Sequence, residues 1–154
     1  MKSRRKAREA ILQALYQCDT LDDWSDTGID LYFFVYHKSQ TGEFALDEEH
    51  CQFAREICCG VAAHREELDR LIEAASAHWT IPRMARVDRN ILRASAYEMR
   101  ERPEIPVNVS INEAIEIAKR YGAPETPTFV NGVLDKVAAM LRAHEHAGSI
   151  VVNE

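Results

Sequence analysis

The first eight residues, MKSRRKAR, place Lys2, Arg4, Arg5, Lys6 and Arg8 ahead of any acid in a chain of 154 residues. These five cations sit in a protein of formal net charge −6, which leaves −11 for the remainder. Guanidinium and ammonium groups this close together can hold phosphate oxygens, the guanidinium fork doing so bidentately. The acidic remainder repels polyanions in general, so any nucleic acid must dock at that one stripe. The placement has a cost. In the first turn of a helix each exposed cation opposes the backbone dipole by roughly 0.3–1 kcal/mol, and Arg4 and Arg8, one turn apart, repel by a few tenths. A frayed basic terminus avoids this cost; a bound anion reverses it, and nucleic acid is the anion favoured.

Two aromatics could act beside the stripe. Tyr16 lies at the far end of the first helix and Phe129 opens the last one, in TFVNGVLD. Each ring could complete the core or stack on a base for about 1–3 kcal/mol, and the unstacked bases of single-stranded RNA suit such rings. Gly132, in the same motif, costs about 1 kcal/mol relative to alanine inside a helix, which predicts the close approach of another helix.

Other chemistries lack their residues. The chain has no Gly-rich phosphate loop, metal-spaced cluster or nucleophile motif, so neither an enzyme nor a cofactor is expected. Cys18, Cys51, Cys58 and Cys59 have neither zinc-ribbon nor secreted-disulfide spacing and read as reduced thiols. Cys51, Cys58 and His64 can be drawn as a ligand set, but nothing in their spacing demands it. The HEH triplet at 144–146 reads as a solvated helix end. No run approaches the roughly 18 apolar residues of a membrane span, and the basic start leads into no signal-peptide core. A cytoplasmic protein with no membrane partner is expected.

The elements that must position these groups are helical. Ala7, Ile11, Ala14, Leu15 and Cys18 recur at three and four, predicting a helix with one buried stripe, in which Arg5 can pair with Glu9. Residues 20–46 lapse into a variable segment, whose aromatic run fits helix or strand. Asp47 can cap a helix with the stripe Cys51, Ala54, Cys58 and Val61, widened by Phe53 and Ile57 and locally broken at Gly60. Leu68, Leu71, Ile72 and Ala75 mark another helix running to Trp79. Asp88 can cap the next, with Ile91, Leu92, Ser95, Ala96 and Met99 inward and its arginines in solvent. Ser110 and Glu113 form a capping box, and Gly122 a left-handed stop. Thr126 and Pro127 suit the start of the last helix, with Phe129, Val130, Val133, Leu134, Val137 and Leu141 on its apolar face. At 46% hydrophobic and 29% charged, the chain suits one all-α domain of six or seven helices over residues 1–146, with 147–154 a flexible tail.

Four ordered blocks, SRRKAREAILQALYQ, VDRNILRASAYEM, IPVNVSINEAIEIAKRYG and FVNGVLDKV, resemble the NusB family of bacterial transcription antitermination factors, nearly continuously from Trp79 to Leu141. The resemblance implies an all-helical domain that pairs with NusE, a ribosomal small-subunit protein, and binds boxA RNA. The resulting RNA polymerase antitermination complex reads through terminators, notably in ribosomal RNA operons. It further implies that Arg4, Arg5, Lys6 and Arg8 hold the phosphate backbone, that Tyr16 and Phe129 flank bases, and that Glu125 tempers affinity by repulsion. Residues 20–44 look longer than is usual in the family. Glu67 stands where some relatives carry an aromatic, and APETP replaces a stretch that is often basic or polar. Two alternatives stay open: the N-terminal type of domain found in an RNA cytosine methyltransferase, and a helical protein-interaction module without RNA. The NusE surface and homodimerisation are also left open.

Overall fold

The computed structural model describes the backbone of residues 2–37, 46–77 and 79–153, and the side chains of 4–35, 46–77 and 79–145. Among the described residues there are seven α-helices and no strand. They are α1 (Lys2–Leu21), α2 (Asp26–Tyr32), α3 (Glu48–Ala63), α4 (Arg65–Ala75), α5 (Arg86–Glu101), α6 (Val107–Tyr121) and α7 (Thr126–Asn153). A π-helical turn, Phe33–His37, extends α2, and a 3₁₀ turn, Ile81–Arg83, precedes α5.

Helix α5 is the hub, packing against α1, α3, α4, α6 and α7. A helix with neighbours on several sides must bury polar positions as well as an apolar stripe. Asn90, Arg93 and Glu98 are buried on α5 with Ile91, Leu92, Ala96 and Met99. The expectation that this helix keeps its arginines in solvent therefore fails at Arg93, which is only 4% exposed. Elsewhere the apolar spacing is realised: Ala7, Ile11, Ala14, Leu15 and Cys18 of α1 are buried, as are Val130, Val133, Leu134 and Val137 of α7.

Helix ends agree less well with local patterns. Asp47 caps α3, accepting from the His50 backbone N–H at 2.8 Å, but α3 continues through Gly60 to Ala63 without a break. Glycine makes room there for Tyr97: a Cβ would lie 2.0 Å from its ring, so a larger residue must displace that half-buried ring. The aromatic run after Gly28 is helical, and Phe33 is buried; residues 38–45 of the variable segment lie outside the described residues. Helix α4 stops at Ala75, short of Trp79, because the Ser76 hydroxyl donates to the carbonyls of Glu73 and Trp79 and Ala77 takes φ 54°. Helix α5 starts from Ala85, three residues before the expected cap Asp88, whose carboxylate instead accepts from the Thr126 hydroxyl at 2.9 Å.

The capping box at Ser110 is not formed. Helix α6 begins at Val107, after Pro106, whose carbonyl accepts from Val109 and Ser110. Ser110 is thus already inside the helix and donates to Glu98, while Glu113 faces the arginines of α1. Gly122 is extended, at φ −95° and ψ −178°, and no left-handed stop occurs. Its lack of a Cβ matters for a different reason: one built there would lie 2.6 Å from Cβ of Thr126. That neighbour is fixed to the backbone and cannot swing away. Gly122→Ala should therefore shift the start of α7, strain the Thr126–Asp88 bond and lower stability by about 1–3 kcal/mol, measured by thermal melting.

Candidate nucleic-acid interface

The basic block lies on the first two turns of α1, and its members have different surroundings. Arg4 is half-buried, its guanidinium carbon 4.0 Å from the ring centroid of Phe53 on α3. That contact orients the group; no carboxylate lies within ion-pair distance of Arg4 among the described residues, and its charge acts only from further away on exposed Glu104, whose carboxyl the Arg102 hydrogen bond chiefly lowers. Lys6 is half-buried and likewise has no acidic partner among them. Arg5 is exposed, yet it donates from Nε to Glu113 Oε1 at 3.1 Å and from Nη2 to Oε2 at 2.7 Å. It pairs with α6 and not with Glu9, which instead receives the Tyr121 hydroxyl and the Arg120 guanidinium. This clamp holds the Glu113 carboxyl below its usual range, the Arg5 hydrogen bond being the main cause and the Arg8 charge adding.

Arg8 is turned inward. Only 8% exposed, it donates from Nε to Glu98 at 3.0 Å, and its Nη1 lies 3.8 Å from Glu113. Glu98 also accepts from Ser110, so the network Arg5–Glu113–Arg8–Glu98–Ser110 ties α1 to α5 and α6. One expectation is corrected here: the dipole cost of Arg5 and Arg8 is offset within the protein by Glu113 and Glu98. The dipole by itself therefore demands no external anion for those two cations. Arg4 and Lys6 are the described cations of the block with no carboxylate in ion-pair range.

Tyr16 lies eleven residues beyond Arg5, about three turns along the same face of α1. It is 41% exposed, and the Arg86 guanidinium carbon of α5 is 5.8 Å from its ring centroid. Arg86, absent from the sequence-based set, supplies a second basic group beside this ring. Its spacing with Arg89 and Arg93, three and then four residues, could have revealed it: three arginines share one face of α5. That face meets α1 at Asp19, which accepts from Arg89 at 2.7 Å, Asn90 at 2.9 Å and Arg93 at 3.1 Å.

The junction of α6 and α7 adjoins the same region. Tyr121 reaches Glu9 and Gln13 of α1, and Thr126 reaches Asp88 in the first turn of α5. Glu125 is exposed beside it. Burial pushes the Asp88 carboxyl up, Thr126 opposes this, and the charge of Glu125 adds to the rise. Phe129, one turn further, is half-buried against the core, so part of its ring surface stays accessible. Gly132 faces open space, with nothing within 4 Å of a Cβ built on it, so no helix packs there as its motif had suggested. Glu67 is exposed and pairs with Arg100 at 3.0 Å.

Among the described residues no three His, Cys, Asp or Glu side chains group as metal ligands, and Cys18, Cys51, Cys58 and Cys59 are free thiols. Burial raises the Cys18 thiol to about 11 and pushes that of Cys58 well above its usual value, which keeps both un-ionised at neutral pH. No described helix is long and apolar enough to cross a membrane.

Comparison with known proteins gives a consistent result. A transcription antitermination protein NusB from Geotalea uraniireducens is 46% identical over 143 residues, covering 92% of this chain and 97% of the relative. The protein of the same description from Myxococcus xanthus is 43% identical over 141 residues, with 92% and 98% covered. The solved structure of T. maritima NusB superposes with a TM-score of 0.75 at 34% identity, covering 88% of this chain and 90% of that one. A crystal structure of antitermination factors NusB and NusE in complex with double-stranded RNA shares the fold at TM-score 0.76 and 22% identity, covering 91% and 98%. The NusB family model matches residues 5–139, and the chain belongs to the NusB family.

Proposed function

We propose that this protein is a transcription antitermination factor that binds boxA-type single-stranded RNA together with NusE and helps RNA polymerase read through terminators, notably in ribosomal RNA operons. The observation that carries this lies along α1: exposed Arg5, flanked on either side by half-buried Arg4 and Lys6 at the start of the helix, and Tyr16 beside Arg86 three turns further on the Arg5 face. Family membership supports the choice of RNA and of NusE, and the relatives bear the antitermination description. A charged stripe followed by an accessible ring is the arrangement that single strands require, phosphates on the cations and a base on the ring.

In this scheme Arg4, Arg5, Lys6 and Arg86 contact phosphates, and Tyr16 and Phe129 flank bases. Glu125 lowers affinity by repulsion, and Arg8 acts as a positioning residue through Glu98 and Glu113. The protein is a binding factor and not an enzyme, and it works in the cytoplasm where RNA polymerase transcribes. About four phosphates at roughly 0.7 each give a slope of log affinity against log salt near −2.8. The test is a salt titration of boxA RNA and of a scrambled RNA, with NusE present. Arg4→Ala should weaken both RNAs alike, because phosphate contacts carry no sequence. Phe129→Ala should weaken boxA binding by about 5- to 150-fold, the equivalent of losing one stacked base, and reduce the boxA preference by the part of that loss that depends on which base stacks. Equal binding of both RNAs by the unmodified protein would reject the assignment.

A further inference from the structure

Glu113 serves two guanidinium groups, and it serves them in the opposite order to the one burial calls for. Exposed Arg5 takes both short hydrogen bonds, at 3.1 and 2.7 Å. Arg8, more than nine-tenths buried, takes only the 3.8 Å approach to Glu113, and its Nη1 has no hydrogen-bond partner. A buried donor loses most from being unpaired, whereas an exposed one can turn to water. The arrangement is stable because the bidentate geometry at Arg5 is strong and Arg8 keeps Glu98 at 3.0 Å. It also lies close to an alternative. A movement of about 1 Å brings Glu113 Oε1 from 3.8 Å to normal hydrogen-bond distance of Arg8 Nη1.

We infer that Glu113 is an exchangeable counter-ion: it occupies the fork of Arg5 in the free protein and passes to Arg8 when a phosphate of the bound strand takes its place. The inference rests on the RNA-binding function proposed above and assigns Glu113 a positioning part in it. A phosphate and a carboxylate present similar pairs of oxygens to a guanidinium, so the incoming group replaces like with like at Arg5. The released carboxylate then satisfies the orphaned donor. Glu113 thereby sets the affinity: binding must first displace it, and Arg8 repays part of the loss. Because Arg8 also holds Glu98, and Glu98 holds Ser110, occupancy at the surface reaches the α1–α5–α6 junction.

The experiment compares the full-length protein with Glu113→Gln, Arg5→Gln and the double variant, each titrated with boxA and scrambled RNA in the presence of NusE. Glu113→Gln keeps the shape of the side chain, removes its charge and leaves Arg8 paired with Glu98, so the fold persists, as thermal melting will show. The expected result is a rise in affinity of about tenfold for both RNAs, with their ratio unchanged and the salt slope unchanged, because Arg5 holds one phosphate in both proteins. In the Arg5→Gln background the same change should give no gain. A loss of affinity on Glu113→Gln would mean that the carboxylate preorganises Arg5, and overturns the exchange. A gain that persists without Arg5 would mark it as general repulsion, and does the same. An RNA-free arm separates this from failure of the RNA assignment: inorganic phosphate is titrated into the unmodified protein while the Arg5 Nε–H and Arg8 Nη1–H signals are followed by NMR. The exchange predicts that both signals shift together; a shift at Arg5 alone, or at neither, overturns it.

Discussion

Replacing Arg8 with methionine should lower the free energy of unfolding by about 3–5 kcal/mol, the typical cost of removing one partner of a buried ion pair. The reason is the state in which Glu98 would be left. Its side chain is 5% exposed and its cationic partner is Arg8, with Ser110 donating as well. Without Arg8, a buried carboxylate must either stay charged with one hydroxyl donor or take up a proton. Urea titration, with the denaturant dependence checked for constancy, measures the loss. Arg8→Met/Glu98→Leu should recover part of it, since apolar residues that replace both members of a buried pair are often neutral or better. The same variant decides between two roles for Arg8. A phosphate-binding arginine would leave stability nearly unchanged and reduce the salt dependence of RNA binding. The geometry at Glu98 predicts the reverse.

Asp19→Asn should have the second-largest effect, about 2–3 kcal/mol at neutral pH. Asp19 joins the end of α1 to α5 through Arg89, Asn90 and Arg93. Burial pushes its carboxyl up, but the hydrogen bonds from Arg89 and Asn90 and the charges of Arg89 and Arg93 outweigh that and bring it to about 2. A folded value below the unfolded one near 3.8 means the ionised form stabilises the fold. This contribution, about 2 kcal/mol, is fully present above about pH 4 and is lost as pH falls through about 2. Acid unfolding of the asparagine variant should accordingly show a flatter limb between those values. An acid limb as steep as that of the unmodified protein would show that Asp19 is not its source. Arg93 is expected to survive the change, because Asp69 also binds it, at 2.8 and 3.0 Å.

Much of the fold was legible because an apolar stripe is a local property. Three- and four-residue spacing marks the buried face of a helix whatever packs against it, and Ala7, Ile11, Ala14, Leu15 and Cys18 could be identified without knowing their neighbours. Helix ends were less legible, because several side chains compete for them. Asp88 and Ser110 have capping chemistry, but the first meets Thr126 and the second Glu98 across the interior. Asp47, at an exposed helix start, had no such rival and caps as its type predicts.

The site divides in the same way. The residue types of the basic block, and the rings at Tyr16 and Phe129, were visible as candidates, and the four sequence blocks already carried the family that the comparisons establish. Which cations remain available was not visible. Arg5 pairs with a residue 108 positions away and Arg8 with one 90 positions away, whereas local spacing had suggested Glu9 for Arg5. Arg86 came to Tyr16 in the same fashion, from α5. Periodicity in the chain determines which face of each helix leaves water, since hydrophobic burial needs no particular partner. An ion pair does need one, within about 4 Å and in the right orientation. Only the packing of α1 against α5 and α6 supplies that proximity, so only the tertiary structure decided which arginines hold the fold together and which face the solvent.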